Sequence, residues 1–279
     1  MSSIPTITLP DQAYINEYKF GQSGEYEVRL ANTLDERKRA WRMVHRRYLA
    51  EGYAGPDGDG LWCSLFDALP QTTTVLVTRN GADIATVSLV FDSDYGLPAD
   101  TLYKDELDTM RQNGRRLCEI SSLASEETDR RSAVEVLNHM FKIIYLLACR
   151  LADATDFIIT VNPHHVAFYE RKLLFQRIGE VRSYGKVNGA PAVLLQFNLE
   201  TAPERWFARY SGTTDSCGRH FVEPQTWNQA VWFLAENISH CSRQEILRWF
   251  REWRPETYSA FVEMSRRIWP NLTQTAMEA

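Results

Sequence analysis

The chain has 279 residues, of which 44% are apolar and 24% charged, and its formal net charge is −5. This length suits one large domain or one domain with a sizeable extension, and the composition excludes an intrinsically disordered chain. An acidic chain gives no electrostatic support for binding to nucleic acid.

The first ten residues and the cysteines indicate the compartment. The N-terminus has no cationic start, and no run along the chain reaches the ~20 apolar residues of a membrane span. We therefore expect neither a signal peptide nor an integral membrane segment. The cysteines are odd in number and lack C-x-x-C spacing, so we expect reduced thiols in a cytoplasmic protein, without a disulfide framework or a zinc site. They are Cys63, Cys118, Cys149, Cys217 and Cys241.

The N-terminal third is predicted to contain a strand and a helix. Residues 1–24 form a lead-in, and the alternation in residues 25–31 indicates the first strand. Residues 33–36 carry a capping-box pattern, which begins a helix that runs to about Glu51.

The next elements are predicted to be a hairpin and a second helix. Asn80-Gly81 is a strong turn signal, and it separates two apolar runs, residues 74–78 and 82–91. A helix is expected near residues 100–112.

The central part of the chain predicts one mixed sheet covered by helices. Residues 116–124 indicate a central strand, and an apolar helix follows over residues 132–152. Residues 157–161 and 193–197 indicate two more buried strands, and a short helix ending in Phe-Tyr-Glu-Arg-Lys lies between them. The predicted fold class is therefore α/β, or α+β, with a mixed central sheet flanked by helices.

The C-terminal part differs in composition. Six of the eight tryptophans lie in residues 203–279, and a capping pattern at residues 242–245 begins a helix that contains Trp249 and Trp253. We predict a Trp-rich helical extension that covers part of the core. The predicted division of the chain is 1–24, 25–202 and 203–279.

Five short motifs, in a shared order and spacing, carry a family resemblance. They are Arg42-x-x-x-x-x-Tyr48-x-x-x-Gly52-Tyr53, Leu65-Phe66-Asp67, Gly96-Leu97-Pro98, Glu119-Ile120-Ser121-Ser122-Leu123, and Pro163-His164 to Phe175. Over residues 25–199 the chain resembles the bacterial long-chain N-acyl amino acid synthases. These enzymes are related to the acyl-homoserine-lactone synthases, and the resemblance implies the GNAT acyltransferase fold.

Two positions depart from the pattern of the lactone synthases. Ser122 stands where many relatives have arginine, and Ser64 stands where the lactone synthases often have aspartate. Both departures weaken a prediction of lactone chemistry.

The connection after the central strand bears on the acyl donor. Residues 124–132 contain no glycine, whereas a pyrophosphate-binding loop needs glycine for close approach of its N–H groups. Arg130 and Arg131 could instead meet the single phosphodiester of an acyl carrier protein. We expect a further basic surface, or else solvated helix charges, from Arg37, Lys38, Arg39, Arg115 and Arg116.

Three side chains are candidate catalytic groups. Glu119 interrupts an apolar strand, and the resemblance places a carboxylate there beside the reacting amine, as a general base. Tyr169 is the candidate acid for the departing thiolate, and His164 or His165 could relay a proton or orient the acyl carbonyl. The alternatives are a structural glutamate paired with Arg42, an aromatic packing residue, and surface or capping histidines.

The predicted substrate site combines one arginine with aromatic and polar side chains. Arg42 could bind the carboxylate of the acceptor, or it could instead pair with Asp67 to hold the first helix. The other predicted substrate-binding residues are Tyr48, Tyr53, Asp67, Ser121 and Phe168. One wall of an acyl channel, or simply core, is expected from Leu137, Met140, Phe141, Ile144 and Tyr145.

These observations predict an N-acyltransferase that passes a long-chain fatty acyl group from acyl carrier protein to the α-amine of an amino acid. Transfer is direct, because Ser121 and Ser122 lack the setting of a serine nucleophile. We expect no metal and no cofactor, only an acyl thioester on carrier protein or CoA as co-substrate. The alternatives are a lactone-type synthase, an acyl-CoA-dependent N-acetyltransferase and a non-catalytic module that binds carrier protein.

Overall fold

The protein is represented by a computed structural model. It describes residues 18–56, 58–69, 72–151, 153–213, 216–222, 243–256, 258 and 259, and the single positions 227, 230, 233, 234 and 263.

A mixed sheet organises the described part of the chain. Its strands are β1 (Tyr18–Phe20), β2 (Tyr26–Leu30), β3 (Thr73–Arg79), β4 (Ala82–Phe91), β5 (Leu117–Ser125), β6 (Asp156–Val161), β7 (Gln176–Arg177), β8 (Arg182–Tyr184) and β9 (Ala190–Asn198). They lie in the order β1-β2-β3-β4-β5-β6-β9-β7, and β8 also pairs with β9. The β5–β6 pair is parallel and the other pairs are antiparallel.

Helices cover both faces of this sheet. Those of the described residues are α1 (Leu34–Ala50), α2 (Asp100–Gln112), α3 (Arg130–Leu151), α4 (Val166–Lys172), α5 (Ala202–Tyr210), α6 (Ser216–Val222) and α7 (Arg243–Trp253). The predicted mixed sheet between helices is confirmed.

Local sequence signals determine where these elements begin. The Glu36 side chain accepts from the backbone N–H of Thr33, and the Thr33 hydroxyl accepts from the backbone N–H of Glu36, so the predicted capping box begins α1. Asn80 and Gly81 have φ of 51° and 83°, the left-handed conformation that a tight hairpin turn between β3 and β4 requires.

Alternation along the central strands separates two cores. Cys118 and Ile120 of β5 join the main core beneath α3, whereas Leu117 joins a second core against α2. Since side chains alternate along a strand, Glu119 points to the same face as Leu117. The sequence therefore places Glu119 on the α2 face of the sheet.

Part of the predicted lead-in belongs to the sheet. Tyr18 and Phe20 of β1 are buried, and β1 pairs with β2 at the sheet edge. The Tyr18 hydroxyl shares a 2.6 Å hydrogen bond with Nδ1 of His139 on α3. Three residues are too short a stretch for alternation to reveal a strand, so sequence reasoning missed it.

The C-terminal extension shares the cores of the sheet. Trp206 of α5 stacks on Phe197 of β9 and on Phe221 of α6, with ring centroids 5.5 and 4.9 Å apart. On the other side of the molecule, Trp249 of α7 packs on Trp41 of α1. The predicted cap of α7 at Ser242 lies outside the described residues.

Among the described residues, α3 is the helix that passes a length and composition test for a membrane span. That test is met by Arg130–Cys149, but 61% of its apolar window is buried inside the protein. Burial of this kind is typical of a core helix.

Candidate functional site

The central strands open on one side of Glu119. The parallel pairing of β5 and β6 ends at Ile120 and Ile159. On its other side, β5 pairs with β4 through a bulge, in which Ser122 and Leu123 face the single residue Val87. Ser122 has φ of 52°, an uncommon conformation for a residue other than glycine, and such outliers concentrate at functional sites.

A cavity of about 1220 Å³ occupies this opening. Its walls include side chains from both faces of the sheet, so it passes between the diverging strands. Eight of the predicted site residues line it: Glu119, Tyr169, Tyr48, Tyr53, Ser121, Phe168, Arg130 and Arg131.

Glu119 is the buried carboxyl group of the cavity. It is 4% exposed, and its Oε2 accepts a 2.7 Å hydrogen bond from the backbone N–H of Ala99. Burial raises the pKa of Glu119 to about 8, against the lowering effects of that hydrogen bond and of Lys186. No arginine of the described residues pairs with it, which disfavours the structural alternative. A carboxyl group with this pKa can exchange a proton near neutral pH.

Tyr169 lies in the middle of the short helix α4 and lines the cavity. Its ring packs against those of Phe141, Phe168 and Phe175, and its backbone oxygen accepts from the N–H of Phe175. Burial raises the pKa of Tyr169 above its ordinary value, with a smaller contribution from Tyr48. The hydroxyl therefore stays protonated near neutral pH, so it has a proton to give.

An aromatic wall stands beside Glu119. Tyr48 packs against Trp62 and Tyr53, with ring centroids 4.8 and 5.9 Å apart, and Tyr184 lines the same part of the cavity. Burial raises the pKa of Tyr48 and of Tyr184, and the charge of Glu119 adds to both shifts. These hydroxyls are neutral donors near the buried carboxyl group.

Sequence reasoning missed Trp62, Tyr184 and Lys186 as residues of the cavity wall. Tyr184 ends the short strand β8 and Lys186 follows it, more than 60 residues after Glu119 in the chain. No local pattern marks them, because only the return of β9 to β6 brings this turn to the cavity.

Arg42 does not line the cavity, which corrects its predicted place in the substrate site. Its side chain is exposed on α1. Six residues separate Arg42 from Tyr48, which is about 600° around a helix, so the two cannot share a face. Arg42 is therefore not placed to bind the carboxylate of an acceptor in this cavity.

Asp67 is buried away from the cavity, so its predicted substrate contact is also corrected. Its Oδ1 accepts from Nε1 of Trp41 at 3.0 Å, and its Oδ2 accepts from the N–H and the hydroxyl of Ser64. These bonds hold a 3₁₀ turn, Leu65–Ala68, against α1. The alternative pairing of Asp67 with Arg42 does not form either.

His164 and His165 are both exposed, and of the two His165 alone also lines the cavity. The two imidazoles lie with ring centroids 3.8 Å apart. Partial burial against the cavity wall, and to a lesser extent His164, lowers the pKa of His165, so its ring is neutral near pH 7. The structure therefore favours His165 over the predicted His164 for contact with a bound molecule.

The donor side of the cavity lies at the start of α3. Oδ2 of Asp129 accepts a 2.8 Å hydrogen bond from the N–H of Ser132, so a carboxylate already caps this helix. Glu126 and Glu127 of the same connection pair with Arg46 and Arg79. Arg130 and Arg131 stand exposed at the cavity mouth.

The five cations that the sequence suggested for a wider basic surface do not form one continuous patch, because each is buried or paired within the protein. Arg37 is buried, and it donates to the backbone oxygens of Ala31 and Thr72. The remaining cations are held locally: Lys38 lies over Trp249, Arg39 pairs with Asp83, Arg115 with Asp156 and Glu200, and Arg116 with Asp153.

The predicted acyl wall divides between the cavity and the core. Leu137 and Met140 of α3 line the cavity, whereas Phe141, Ile144 and Tyr145 pack in the main core. Of the tryptophans that the structure describes in the extension, none lines the cavity, but His220 of α6 does. The described residues contain no group of three or more His, Cys, Asp or Glu side chains that could hold a metal ion.

Comparison with known proteins identifies a family and a fold. The model of the family described as N-acyl amino acid synthase FeeM matches residues 39–198. Among solved structures, the chain is similar to FeeM, an N-acyl amino acid synthase from uncultured soil microbes. The identity is 27%, the TM-score is 0.59, and the match covers 66% of this chain and 96% of that one.

A more distant likeness joins the chain to LasI, an AHL synthase. The identity is 15% and the TM-score is 0.49, over 67% of this chain and 96% of that chain. None of the curated proteins matches the sequence. The predicted GNAT acyltransferase fold and the predicted family are both confirmed.

Proposed function

The chain belongs to the N-acyl amino acid synthase family and is an N-acyltransferase, and from that premise we propose that it transfers a long-chain fatty acyl group from acyl carrier protein to the α-amine of an amino acid. The strongest support for this proposal is the position and the pKa of Glu119. Glu119, a carboxyl group with a pKa of about 8, is buried where the sheet opens, on a cavity that crosses the sheet. Such a group suits a base that must deprotonate an ammonium.

Glu119 is proposed to take one proton from the acceptor's ammonium group. The neutral amine then attacks the thioester carbonyl, so that a C–N bond forms before the C–S bond breaks. In the β4–β5 ladder, Ser122 and Leu123 have no partner of their own, and their N–H groups are proposed to polarise the carbonyl oxygen. Tyr169 protonates the leaving thiolate, and the second amine proton replaces the one that Tyr169 gives.

The donor is proposed to be an acyl carrier protein rather than CoA. Asp129 caps α3 where a pyrophosphate would need free N–H groups, and the glycine-free connection carries two further carboxylates. Arg130 and Arg131 at the mouth suit one phosphodiester on an acidic partner. Direct transfer of this kind needs no cofactor or metal besides the thioester co-substrate.

Leu137, Met140, Ile159 and Val161 give part of the cavity an apolar lining. Each methylene that leaves water for such a lining contributes about 0.8 kcal/mol, so a long acyl chain gains from it. The length of the preferred chain is left to experiment.

The test incubates the purified protein with acyl carrier protein or CoA carrying the same fatty acyl group, and with a mixture of amino acids. The expected result, read by mass spectrometry, is an N-acyl amino acid that forms faster from the carrier-bound donor. Lactone or acetylated products, or equal efficiency with both donors, would contradict the proposal.

Replacing Tyr169 by phenylalanine is expected to lower kcat about tenfold. This is below the usual effect of a general acid, because a thiolate is a good leaving group. Steady-state rates with one acyl donor measure the change. Tyr26→Phe is the matched control, since it removes a tyrosine hydroxyl outside the cavity. An unchanged rate in the Tyr169 variant would make the residue an aromatic packing group only.

A further inference from the structure

Lys186 is a cation on the Glu119 side of the cavity. It lies in a 3₁₀ turn, Gly185–Val187, between β8 and β9, and it lines the cavity together with the aromatic wall. Its Nζ lies 5.7 Å from the ring centroid of Trp62. Its charge also reaches Glu119, since it lowers the pKa of that carboxyl group.

No carboxylate of the described residues forms an ion pair with Lys186. The contrast with its surroundings is clear, because Arg182 of the preceding strand pairs with Glu106, and Arg111 of α2 pairs with three aspartates. The other cations of the cavity wall, Arg130, Arg131 and Lys172, belong to the first turn of α3 and the end of α4. Lys186 is thus the cation of the described wall that faces the proposed base.

The turn that carries Lys186 is held in place. Asn188 has φ of 54°, a conformation that asparagine tolerates, and its Nδ2 donates to the backbone oxygen of Gly52 at 3.1 Å. Gly52 lies directly before Tyr53, so this bond ties the turn to the aromatic wall. Within the turn, the N–H of Gly189 donates to the backbone oxygen of Tyr184 at 3.0 Å.

We infer that Lys186 binds the α-carboxylate of the acceptor and so selects α-amino acids over amines that lack a carboxylate. The inference rests on the proposed function, because it assumes that Glu119 receives the acceptor's amine. An amino acid is a zwitterion, and the cavity offers Glu119 to its ammonium group and Lys186 to its carboxylate. In this inference Lys186 binds the acceptor's carboxylate, which is the role that the sequence suggested for Arg42.

The test compares an amino acid with the amine that its decarboxylation yields. In the wild type, kcat/KM for the amino acid should exceed that for the amine. Lys186→Met should lower kcat/KM for the amino acid by about 10- to 100-fold, mainly through KM, since a hydrogen-bonded charge pair is lost. The value for the amine should fall much less, because with that acceptor the variant loses only the effect of Lys186 on the pKa of Glu119.

Two further variants keep this test decisive. Lys186→Arg retains the charge and should restore much of the preference for the amino acid. Lys104→Met removes an exposed lysine of α2 outside the cavity, and it should leave kcat/KM unchanged for both acceptors. Equal losses with both acceptors in Lys186→Met, or no loss, would overturn the inference. A wild type that acylates neither acceptor would instead refute the proposed function.

Discussion

Replacing Glu119 by glutamine is expected to lower kcat/KM by about 10²- to 10⁴-fold, the usual range for loss of a general base. Glutamine keeps the shape of the side chain, and its amide oxygen can still accept the hydrogen bond from the N–H of Ala99. The fold should therefore survive, which thermal unfolding can check. Initial rates with a saturating donor and varied acceptor measure the loss. Near-normal turnover in this variant would show that Glu119 is not the general base.

The pH profile gives this prediction a second readout. Burial raises the pKa of Glu119 to about 8, so most of the wild-type protein holds a protonated, inactive base at pH 7. The wild-type kcat/KM should rise with pH through about 8, as the carboxylate forms. The acceptor's own ammonium titrates in both proteins, so the matched comparison is the glutamine variant with the same acceptor. That variant should lack the limb near pH 8.

Reversing the charges of Arg130 and Arg131 to glutamate should lower kcat/KM with a carrier-bound donor by about 10- to 100-fold at low salt. The physical reason is lost attraction between the cavity mouth and an acidic carrier, which also has to bring its phosphodiester there. Added salt should slow the wild type but speed up the variant, because salt screens the attraction to the acidic carrier in the wild type and the repulsion from it in the variant. Initial rates across a salt series measure both effects.

Acyl-pantetheine, which carries no phosphate, is the matched donor for this experiment. Its rate should be the same in the wild type and in the variant, because no phosphate contact is lost. The control variant is Lys104→Glu with Arg209→Glu, which makes the same change in net charge at exposed positions outside the cavity. An equal loss with acyl-pantetheine would show damage to the site, and an undiminished rate with the carrier would exclude this docking surface.

Several elements of the fold were readable from short stretches of sequence. The start of α1 followed from Thr33 and Glu36, and the β3–β4 turn followed from Asn80-Gly81. These signals are reliable because the backbone groups that they satisfy lie within four residues of the signal itself. Glu119 was found for a similar reason, since a charged residue inside an apolar strand is conspicuous without any tertiary information.

The misplaced residues share one cause. Arg42, Asp67 and His164 each stand within two residues of a position that the structure does place at the site or in a core. Arg42 neighbours buried Trp41, and His164 precedes His165 of the cavity wall. A motif identifies a segment, but one step along a helix turns a side chain by about 100°, so it does not identify the facing residue.

The order of elements, the family resemblance and the carboxyl group inside an apolar strand could all be predicted from residues 25–199, because they depend on local periodicity and short motifs. Which cations reach the cavity depends instead on how the elements pack. Lys186 arrives there because β9 returns beside β6 and brings its preceding turn to the end of α1, whereas Arg37 and Arg115 are held by the protein's own oxygens. Contacts between residues so distant in the chain depend on the packing of whole elements, and no local pattern records them.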